Sequence, residues 1–208
     1  MIDSLTIDLV GIKEYMTLDT EYYVKALKRE ITKEIPVARF AEFYLTADSA
    51  HFCSTSHPVI LLRPFKFVSK KTSFIIDPVL DVEGYLYGEF SMYTPPVVNA
   101  ILDLINTDIN DPIVVIGNGI GMHLARELKK LNLQVILLSH KQKNELAIYE
   151  SKNYPIVNCS LSEINCETCV LNLCSNPKRL NELTIKHLID NIKQSVENFF
   201  NVDKTLIF

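Results

Sequence analysis

The chain has 208 residues, of which 48% are hydrophobic and 22% are charged, and its formal net charge is −4. This length suffices for one large domain or two small ones with buried cores. The mild acidity and the lack of a dense Lys/Arg tract argue against a nucleic-acid-binding surface. No apolar run approaches the ~20 residues that span a bilayer. The first residues also lack the basic and apolar regions of a signal peptide, so we expect a cytoplasmic protein without membrane or nucleic-acid partners.

The first third of the chain is predicted to mix helix and strand. Residues 22–35 place apolar side chains on one stripe, which predicts a helix that Pro36 ends. Residues 37–46 are aromatic and rich in β-forming types, and residues 59–62 are a short apolar run, so both are predicted strands. Between them, residues 50–58 are small and polar and fit either a loop or the start of a short helix.

Residues 77–85, with the sequence Asp-Pro-Val-Leu-Asp-Val-Glu-Gly-Tyr, are predicted to form a loop that carries carboxylates. After this loop, Thr94 is a predicted helix N-cap, and Pro95 suits the first turn of the helix. Residues 97–105 then supply apolar side chains for the buried face of that helix. A turn over residues 106–111 leads into the stretch on which the functional prediction depends.

That stretch begins with the apolar run Ile-Val-Val-Ile at residues 113–116, as expected of a strand buried on both faces. Glycines follow at alternate positions, and residues 122–131 predict a helix with leucines on one face. This combination forms an anion site, because glycines let the backbone approach a pyrophosphate and the helix dipole favours its charge. The predicted cofactor-binding residues of the turn are Gly117, Asn118, Gly119, Ile120 and Gly121.

The glycine spacing itself leaves an alternative open. It is Gly-x-Gly-x-Gly and not the full Gly-x-Gly-x-x-Gly, because position 122 is Met. A bare glycine pattern is weak evidence, although here the flanking strand and helix are both predicted. The alternative is a tight turn that binds no ligand.

Residues 134–139 predict the second strand of a β-α-β unit, and the end of this strand indicates the nucleotide. In NAD-binding units a carboxylate at this place holds the ribose hydroxyls. Here Ser139, His140 and Lys141 occupy it, and a hydroxyl with cations suits a 2′-phosphate. The sequence therefore favours NADP as the cofactor, with NAD possible, and a solvated lysine-rich turn is the alternative without a ligand.

The last third is predicted to contain two more strands, at residues 156–157 and 169–173, and an amphipathic helix at residues 184–201. Four of the five cysteines crowd this part: Cys159, Cys166, Cys169 and Cys174. The C-x-x-C pair within this group can bind a metal or act in redox chemistry. No second pair has regular ligand spacing, so we interpret the cysteines as reduced, buried small residues and predict no metal site.

Several of these segments occur in the same order in one family. They are Leu61-Leu-Arg-Pro64, Asp77-Pro-Val-Leu-Asp-Val-Glu-Gly-Tyr85, Tyr93-Thr-Pro95, Val114-Val-Ile-Gly117 and Ser139-His140. In these motifs the chain resembles the bifunctional methylenetetrahydrofolate dehydrogenase/methenyltetrahydrofolate cyclohydrolase family, as a shortened and divergent member. The resemblance extends over nearly the whole chain.

The resemblance implies an α/β fold of two domains. Residues 1–92 and 184–208 would form a tetrahydrofolate-type substrate domain, on which the C-terminal helix packs. Residues 93–183 would form a Rossmann-like NAD(P)-binding domain with a parallel sheet. The family also implies a cleft in which folate lies beside the nicotinamide, and a homodimer.

The chain departs from the family at positions that carry its chemistry. The family's cyclohydrolase uses a Tyr-x-x-x-Lys helix, and the matching positions are Phe52 and Ser56 here. A serine cannot drive proton transfer as a lysine does. The family's strand Gln falls near Leu61, and its folate-contacting Asp becomes Glu83, which keeps the carboxylate. The family's Pro-Gly-Gly-Val-Gly-Pro-Met-Thr segment is replaced by Pro-Lys-Arg-Leu-Asn-Glu-Leu-Thr at residues 177–184.

By this resemblance the catalytic positions are Glu83 and Ser56, and the substrate-binding positions are Phe52, Leu61, Glu83, Thr94 and Pro95. Hydride transfer needs fewer catalytic side chains than cyclohydrolysis does, because the nicotinamide performs the redox step and the protein positions it. The first hypothesis is therefore NADP-dependent oxidation of 5,10-methylenetetrahydrofolate to 5,10-methenyltetrahydrofolate, with weak or lost cyclohydrolase activity. The alternatives are a catalytically inactive relative that acts as a nucleotide-binding or structural module, and an unrelated nucleotide-binding oxidoreductase.

Overall fold

The computed structural model describes residues 1–8, 20–43, 57–61, 77–84, 92–160, 164–173 and 177–205. The chain divides into two compact units, one formed by Met1–Pro96 with Ile185–Phe208 and the other by Val97–Thr184. Each unit combines helices with a parallel sheet, which confirms the predicted α/β fold class. That residues 1–92 with 184–208 form a folate-type substrate domain, and residues 93–183 an NAD(P)-binding domain, stays a prediction.

The first unit contains a three-stranded sheet. Strand β1 (Leu5–Asp8) lies between β2 (Phe40–Phe43) and β3 (Val59–Leu61), and both pairings are parallel. Helix α1 (Thr20–Glu34) lies between β1 and β2 in the sequence. It ends just before Ile35, as expected because the residue before a proline is disfavoured in a helix. Its apolar stripe joins the core of this unit, as the periodicity predicts.

The second unit contains a four-stranded parallel sheet in the order β5-β4-β6-β7. These strands are β4 (Ile113–Ile116), β5 (Val135–Leu138), β6 (Ile156–Asn158) and β7 (Cys169–Asn172). All four residues of β4 are buried, as an uninterrupted apolar run in a parallel sheet predicts.

Four further helices complete the described part of the chain, and the last of them lies mainly in the first unit, from Ile185 onward. They are α2 (Pro96–Leu102), α3 (Ile120–Lys130), α4 (Leu146–Glu150) and α5 (Pro177–Thr205), and a 3-10 helix at His140–Glu145 precedes α4. Helix α3 connects β4 to β5 and completes the predicted β-α-β unit.

The strand order creates a switch point beside β4. The chain leaves β4 for β5 on one side and later returns to β6 on the other side of β4. In open parallel sheets, ligands bind outside the carboxyl ends of the strands at such a reversal. The residues that follow β4 and β6 are therefore the first place to look for a site.

The start of α2 differs from its prediction. The helix begins at Pro96, so Thr94 lies too early to be its N-cap. The reason is local, because Pro95 precedes another proline and is sterically kept out of the helical region. Ile101 and Ile105 are nevertheless buried, as predicted, although α2 ends at Leu102.

The start of α5 also differs. The sequence predicts a helix from residue 184, whereas α5 already begins at Pro177. Leu180 is buried and Leu183 packs against the same core of the second unit, which stabilises the added turns. The Thr184 hydroxyl donates to the Leu180 carbonyl oxygen over 2.8 Å, within the helix. Residues 177–184 are thus helical.

Candidate functional site

The glycine turn lies at the carboxyl end of β4. Gly117 has a φ of 124°, a backbone conformation that side chains disfavour. A Cβ atom at Gly117 would lie 3.2 Å from the carbonyl carbon of Cys159 and 3.4 Å from the backbone nitrogen of Ser160. The Gly117 N–H donates to the Leu138 carbonyl oxygen over 3.0 Å. The turn is therefore held between the neighbouring strand ends and needs glycine here.

The second glycine places a helix N-terminus in the turn. Gly119 is the N-cap residue of α3, and no side-chain hydrogen bond caps the helix. The first turn carries no acidic residue, whereas Lys129 and Lys130 lie in the last turn. Backbone N–H groups at such an end have no partner within the helix, and the dipole makes them attract an anion. This end of α3 can therefore hold a phosphate group.

The third glycine lets α3 approach the sheet. A Cβ atom at Gly121 would lie 3.3 Å from the Ile116 carbonyl oxygen and 3.3 Å from Cγ1 of Val115. This is the close helix–strand packing that the last glycine of a dinucleotide-binding turn provides. The three glycines thus have separate places in the fold, although the last one comes a residue early. Strand, turn and helix are present as predicted, while the binding role of the turn stays a prediction.

Helix α3 also contains a histidine that stays neutral. Burial and, secondarily, the positive charge of Arg126 lower the pKa of His123 to about 4. His123 therefore adds no positive charge near the turn at neutral pH. The attraction for an anion comes from backbone groups and the helix dipole.

A polar cluster that sequence reasoning missed lies at the carboxyl ends of β6 and β7. The Asn158 side chain is fully buried, and its Oδ1 accepts hydrogen bonds from the backbone N–H of Ser160 over 3.0 Å and from Ser160 Oγ over 2.7 Å. Its Nδ2 donates to Asn172 Oδ1 over 3.0 Å. The available signal was a polar Asn directly after the apolar pair Ile156-Val157.

The end of β5 is occupied by an internal hydrogen-bond chain. The hydroxyl and the backbone N–H of Ser139 both donate to Oε1 of Gln142, over 2.9 Å and 3.0 Å. Nε2 of Gln142 donates in turn to Glu145 over 3.2 Å. Lys141 is exposed, and His140 begins the 3-10 helix, with its side chain outside the described part. Ser139 directly follows the residue that accepts from Gly117, so it lies beside the glycine turn.

In the first unit, the loop at residues 77–84 holds Glu83. The backbone N–H of Val79 donates to the Asp77 carboxylate over 3.0 Å, and that of Gly84 donates to the Asp81 carbonyl oxygen over 3.0 Å. Gly84 has a φ of 63°, and a Cβ atom there would lie 2.5 Å from the Tyr93 carbonyl oxygen. Glycine is therefore required directly after Glu83.

The electrostatics of Glu83 are unusual. Burial, and then the negative charge of Asp81, raise the pKa of Glu83 to about 8. Asp81 is fully buried two residues earlier in the same loop. At neutral pH Glu83 is therefore largely protonated, and it can both donate and accept a hydrogen bond.

Two polar residues of α5 hold this loop, and sequence reasoning missed both. Nδ2 of Asn191 donates to the carbonyl oxygens of Val82, over 2.9 Å, and Thr94, over 3.3 Å. The Ser195 hydroxyl donates to the Val79 carbonyl oxygen over 2.5 Å. Both are buried one helical turn apart, within the apolar stripe of the helix. A polar residue within such a stripe was the available signal.

The structure describes only some of the predicted substrate-binding residues. Thr94 and Pro95 lie beside Glu83, since Asn191 bridges the two segments and Gly84 approaches the Pro95 nitrogen. Phe52 and Ser56 lie outside the described residues. The backbone of Leu61 ends β3, opposite Asp8 of β1, and its side chain is not described.

The described cysteines are buried or half-buried thiols. Burial raises the pKa of both Cys159 and Cys166 to about 12. Cys166 contacts Cys169 and Glu150, and it lines a polar hollow of about 470 Å³ that includes none of the predicted cofactor-binding residues. No group of three or more His, Cys, Asp or Glu residues in the described part could hold a metal ion. No described helix is long and apolar enough to cross a membrane.

Comparisons with known proteins support the fold. No family model matches the chain, and no curated protein matches its sequence. The N5,N10-methylenetetrahydrofolate dehydrogenase-cyclohydrolase of Trypanosoma brucei, solved with NADP cofactor and an inhibitor, matches with a TM-score of 0.63 and 14% identity, over 94% of this chain and 86% of that one. The bifunctional 5,10-methylenetetrahydrofolate dehydrogenase/cyclohydrolase of Thermoplasma acidophilum matches with a TM-score of 0.61 and 12% identity, over 97% and 91%. The chain therefore shares its fold with these enzymes, and such low identities show the fold alone.

Proposed function

We propose that this protein is an oxidoreductase that uses NADP to oxidise 5,10-methylenetetrahydrofolate to 5,10-methenyltetrahydrofolate. The observation that carries the proposal is the uncapped N-terminus of α3, which directly follows a glycine turn at a switch point of a parallel sheet. Two solved methylenetetrahydrofolate dehydrogenase-cyclohydrolases share this fold, and one of them was solved with NADP.

In the proposal, the backbone from Gly117 to Gly121 binds the pyrophosphate, with Asn118 and Ile120 contributing their N–H groups. The site fits such a group, because Gly117 leaves no room for a side chain and no side chain caps α3. Bound NADP supplies the hydride acceptor. Ser139, His140 and Lys141 contact its 2′-phosphate, for which an exposed lysine and a hydroxyl are suitable groups. NAD is the alternative cofactor.

Glu83 is the proposed folate contact. A pterin ring offers N–H donors on its pyrimidine edge, and a carboxylate accepts two such bonds side by side. Because Glu83 has a pKa of about 8 without a ligand, donors from the ring would stabilise its charged form and lower that pKa. Folate binding at neutral pH should therefore release a proton. Phe52, Leu61, Thr94 and Pro95 complete the proposed substrate-binding set.

Cyclohydrolase activity is proposed to be weak or absent. That reaction needs a group that activates water and protonates a ring nitrogen. Ser56 stands where the family resemblance expects a lysine, and a serine hydroxyl does not ionise near neutral pH, so it is a poor general acid or base. The dehydrogenase reaction does not need a proton-transferring side chain at this position, because in hydride transfer the protein only orients substrate and cofactor.

A second candidate function is a nucleotide-binding or structural module without catalysis. The observation that favours it is the early start of α5 at Pro177, because a helix replaces the segment that is rich in glycine in the family. A glycine-rich loop lets its backbone approach a ligand closely, whereas the side chains of a helix keep a ligand away from its backbone, and beyond the first turn its N–H groups are already paired. Any ligand contact made by that loop would be lost.

One experiment separates these functions. NADP- and NAD-dependent oxidation of methylenetetrahydrofolate is measured with the purified chain, together with calorimetric binding of each cofactor. Turnover supports the dehydrogenase, and micromolar binding without turnover supports the module. No binding of either cofactor contradicts the dehydrogenase and the binding role of the glycine turn. Gly119→Val should abolish cofactor binding, while Lys129→Val at the other end of α3 serves as the matched control. Unchanged affinity in Gly119→Val would contradict the role of the turn.

The folate contact and the homodimer have their own tests. Calorimetry in two buffers of different ionisation enthalpy measures the proton released when tetrahydrofolate binds. Glu83→Gln should abolish that release, and an equal release in wild type and variant would exclude Glu83 as its source. Sedimentation velocity of the purified chain tests the proposed homodimer. The cytoplasmic location stays a prediction.

A further inference from the structure

Asn158 places a polar amide group at a buried position that an apolar side chain could occupy. Asn158 ends β6 and is fully buried, as are its neighbours Ile156 and Val157 in the same strand. Burying an amide is unfavourable unless its hydrogen bonds are made inside the protein. The Asn158 side chain makes three with Ser160 and Asn172, and its backbone carbonyl oxygen accepts a fourth from Leu173 over 3.1 Å.

The donor and the acceptor of each hydrogen bond in this cluster follow from the backbone N–H of Ser160. The backbone N–H of Ser160 can only donate, so the Asn158 atom 3.0 Å away from it must be the amide oxygen. The other end of the amide is then NH₂, and the atom of Asn172 that it meets must be an acceptor. Asn158 therefore acts as an acceptor towards Ser160 and as a donor towards Asn172. An aspartate at this position could do both only in its protonated form.

Asn158 holds the backbone of residues 159–160, and this backbone lies against Gly117 of the glycine turn. A Cβ atom at Gly117 would lie 3.2 Å from the carbonyl carbon of Cys159, 3.3 Å from its oxygen and 3.4 Å from the Ser160 nitrogen. The Cys159 N–H also donates to the Ile116 carbonyl oxygen over 2.9 Å, directly before the turn. Both bonds from Ser160 to Asn158 hold this backbone against Gly117.

We propose that Asn158 is a positioning residue for the cofactor turn. Through Ser160 it holds the Cys159–Ser160 backbone in place against Gly117, and thereby sets the conformation in which the turn receives a dinucleotide pyrophosphate. The inference rests on the proposed function, because it presupposes that the turn binds a cofactor. It adds a residue to that site that lies outside the glycine pattern.

The test is the pH dependence of NADP affinity in Asn158→Asp, measured by calorimetry with the full chain. At about pH 5 the buried carboxyl is protonated and reproduces both hydrogen-bonding directions, because burial raises its pKa. At about pH 8 it is charged and can no longer donate to Asn172, so the Asn172 amide must turn to donate to it and a charge is left in the core, which disturbs the cluster. The dissociation constant, divided by that of wild type at the same pH, should be near one at low pH and at least about tenfold higher at high pH.

Two further variants keep the inference falsifiable. Asn165→Asp makes the same change at an exposed position of this unit and should follow wild type at every pH. Ser160→Ala removes one bond of the cluster at a half-buried residue, and should weaken NADP binding about threefold with little change in melting temperature.

The possible results can be told apart. A ratio for Asn158→Asp that does not rise with pH overturns the positioning role, and so does unchanged affinity in Ser160→Ala. In either case wild-type binding of NADP still stands, and the proposed function with it. If wild type binds neither NADP nor NAD, the proposed function fails, and the positioning role fails with it.

Discussion

Replacing Glu83 by glutamine is expected to change how the stability of the protein depends on pH. Burial and the charge of Asp81 raise the pKa of Glu83 from 4.5 to about 8. A carboxyl whose pKa is raised by folding contributes stability that is fully present below the pKa of the unfolded chain. This stability is lost as the pH rises through the folded-state pKa, because the unfolded chain then releases its proton more readily. The loss should therefore occur between about pH 4.5 and about pH 8.

The size of the effect follows from the same pKa values. At 1.36 kcal/mol per pKa unit, the rise from 4.5 to about 8 sets an upper limit of about 5 kcal/mol on the lost stability. Glu83 is only half-buried, so water screens part of this cost. We therefore expect Glu83→Gln to gain about 2 kcal/mol over wild type between acid and alkaline pH, because glutamine cannot ionise.

Urea unfolding at several pH values across this window measures the effect, with the free energy of unfolding compared between wild type and Glu83→Gln. Glu197→Gln, at an exposed position of α5, is the matched control and should follow wild type throughout. If the stability curves of wild type and Glu83→Gln run parallel across this pH window, the reasoning about burial and Asp81 is refuted.

Three other predictions concern the loop, its support and the thiols. Asn191→Leu should lower the free energy of unfolding by about 2–3 kcal/mol because one buried and one partly buried carbonyl oxygen lose their donor, whereas exposed Gln194→Leu should change it by less than about 0.5 kcal/mol in the same denaturation experiment. Gly84→Ala should cost about 2 kcal/mol or more, because φ is 63° and the new Cβ would lie 2.5 Å from the Tyr93 oxygen; an unchanged melting temperature would contradict this. Cys166, with a pKa of about 12, should react with a thiol reagent far more slowly than glutathione does at neutral pH and faster as the pH rises, and a rate equal to that of glutathione would be the contrary result.

The elements that the sequence predicted well are those with a strong local pattern. The stripe in α1 and the apolar run of β4 each have one periodicity that fits one structure, and both elements are present. The glycine turn could be predicted from the sequence because a positive φ at Gly117 and a close helix–strand contact at Gly121 both exclude side chains. These requirements are imposed by the backbone within a few residues.

Where the sequence prediction was wrong, a contact or a neighbouring residue decided the outcome. The first turns of α5 contain few apolar residues, and only the packing of Leu180 and Leu183 into the core shows that they are helical. Thr94 has the chemistry of an N-cap, yet the pair Pro95-Pro96 moves the start of α2 beyond its reach. Propensity alone does not settle such boundaries.

By itself, the sequence determined the fold class, the order of the described elements other than β1, α4 and the 3-10 helix, and the place of a candidate anion-binding turn, because hydrophobic period and glycine geometry are local properties. Only the tertiary structure decided which polar groups support the two candidate sites. Asn191 bonds to a carbonyl oxygen 109 residues away, and Asn158 bonds to an amide 14 residues away on a neighbouring strand. A buried polar side chain needs a hydrogen-bond partner, but the neighbouring sequence does not show which residue that partner is. The packing of the chain does so, and the same packing gives Glu83 its raised pKa through burial.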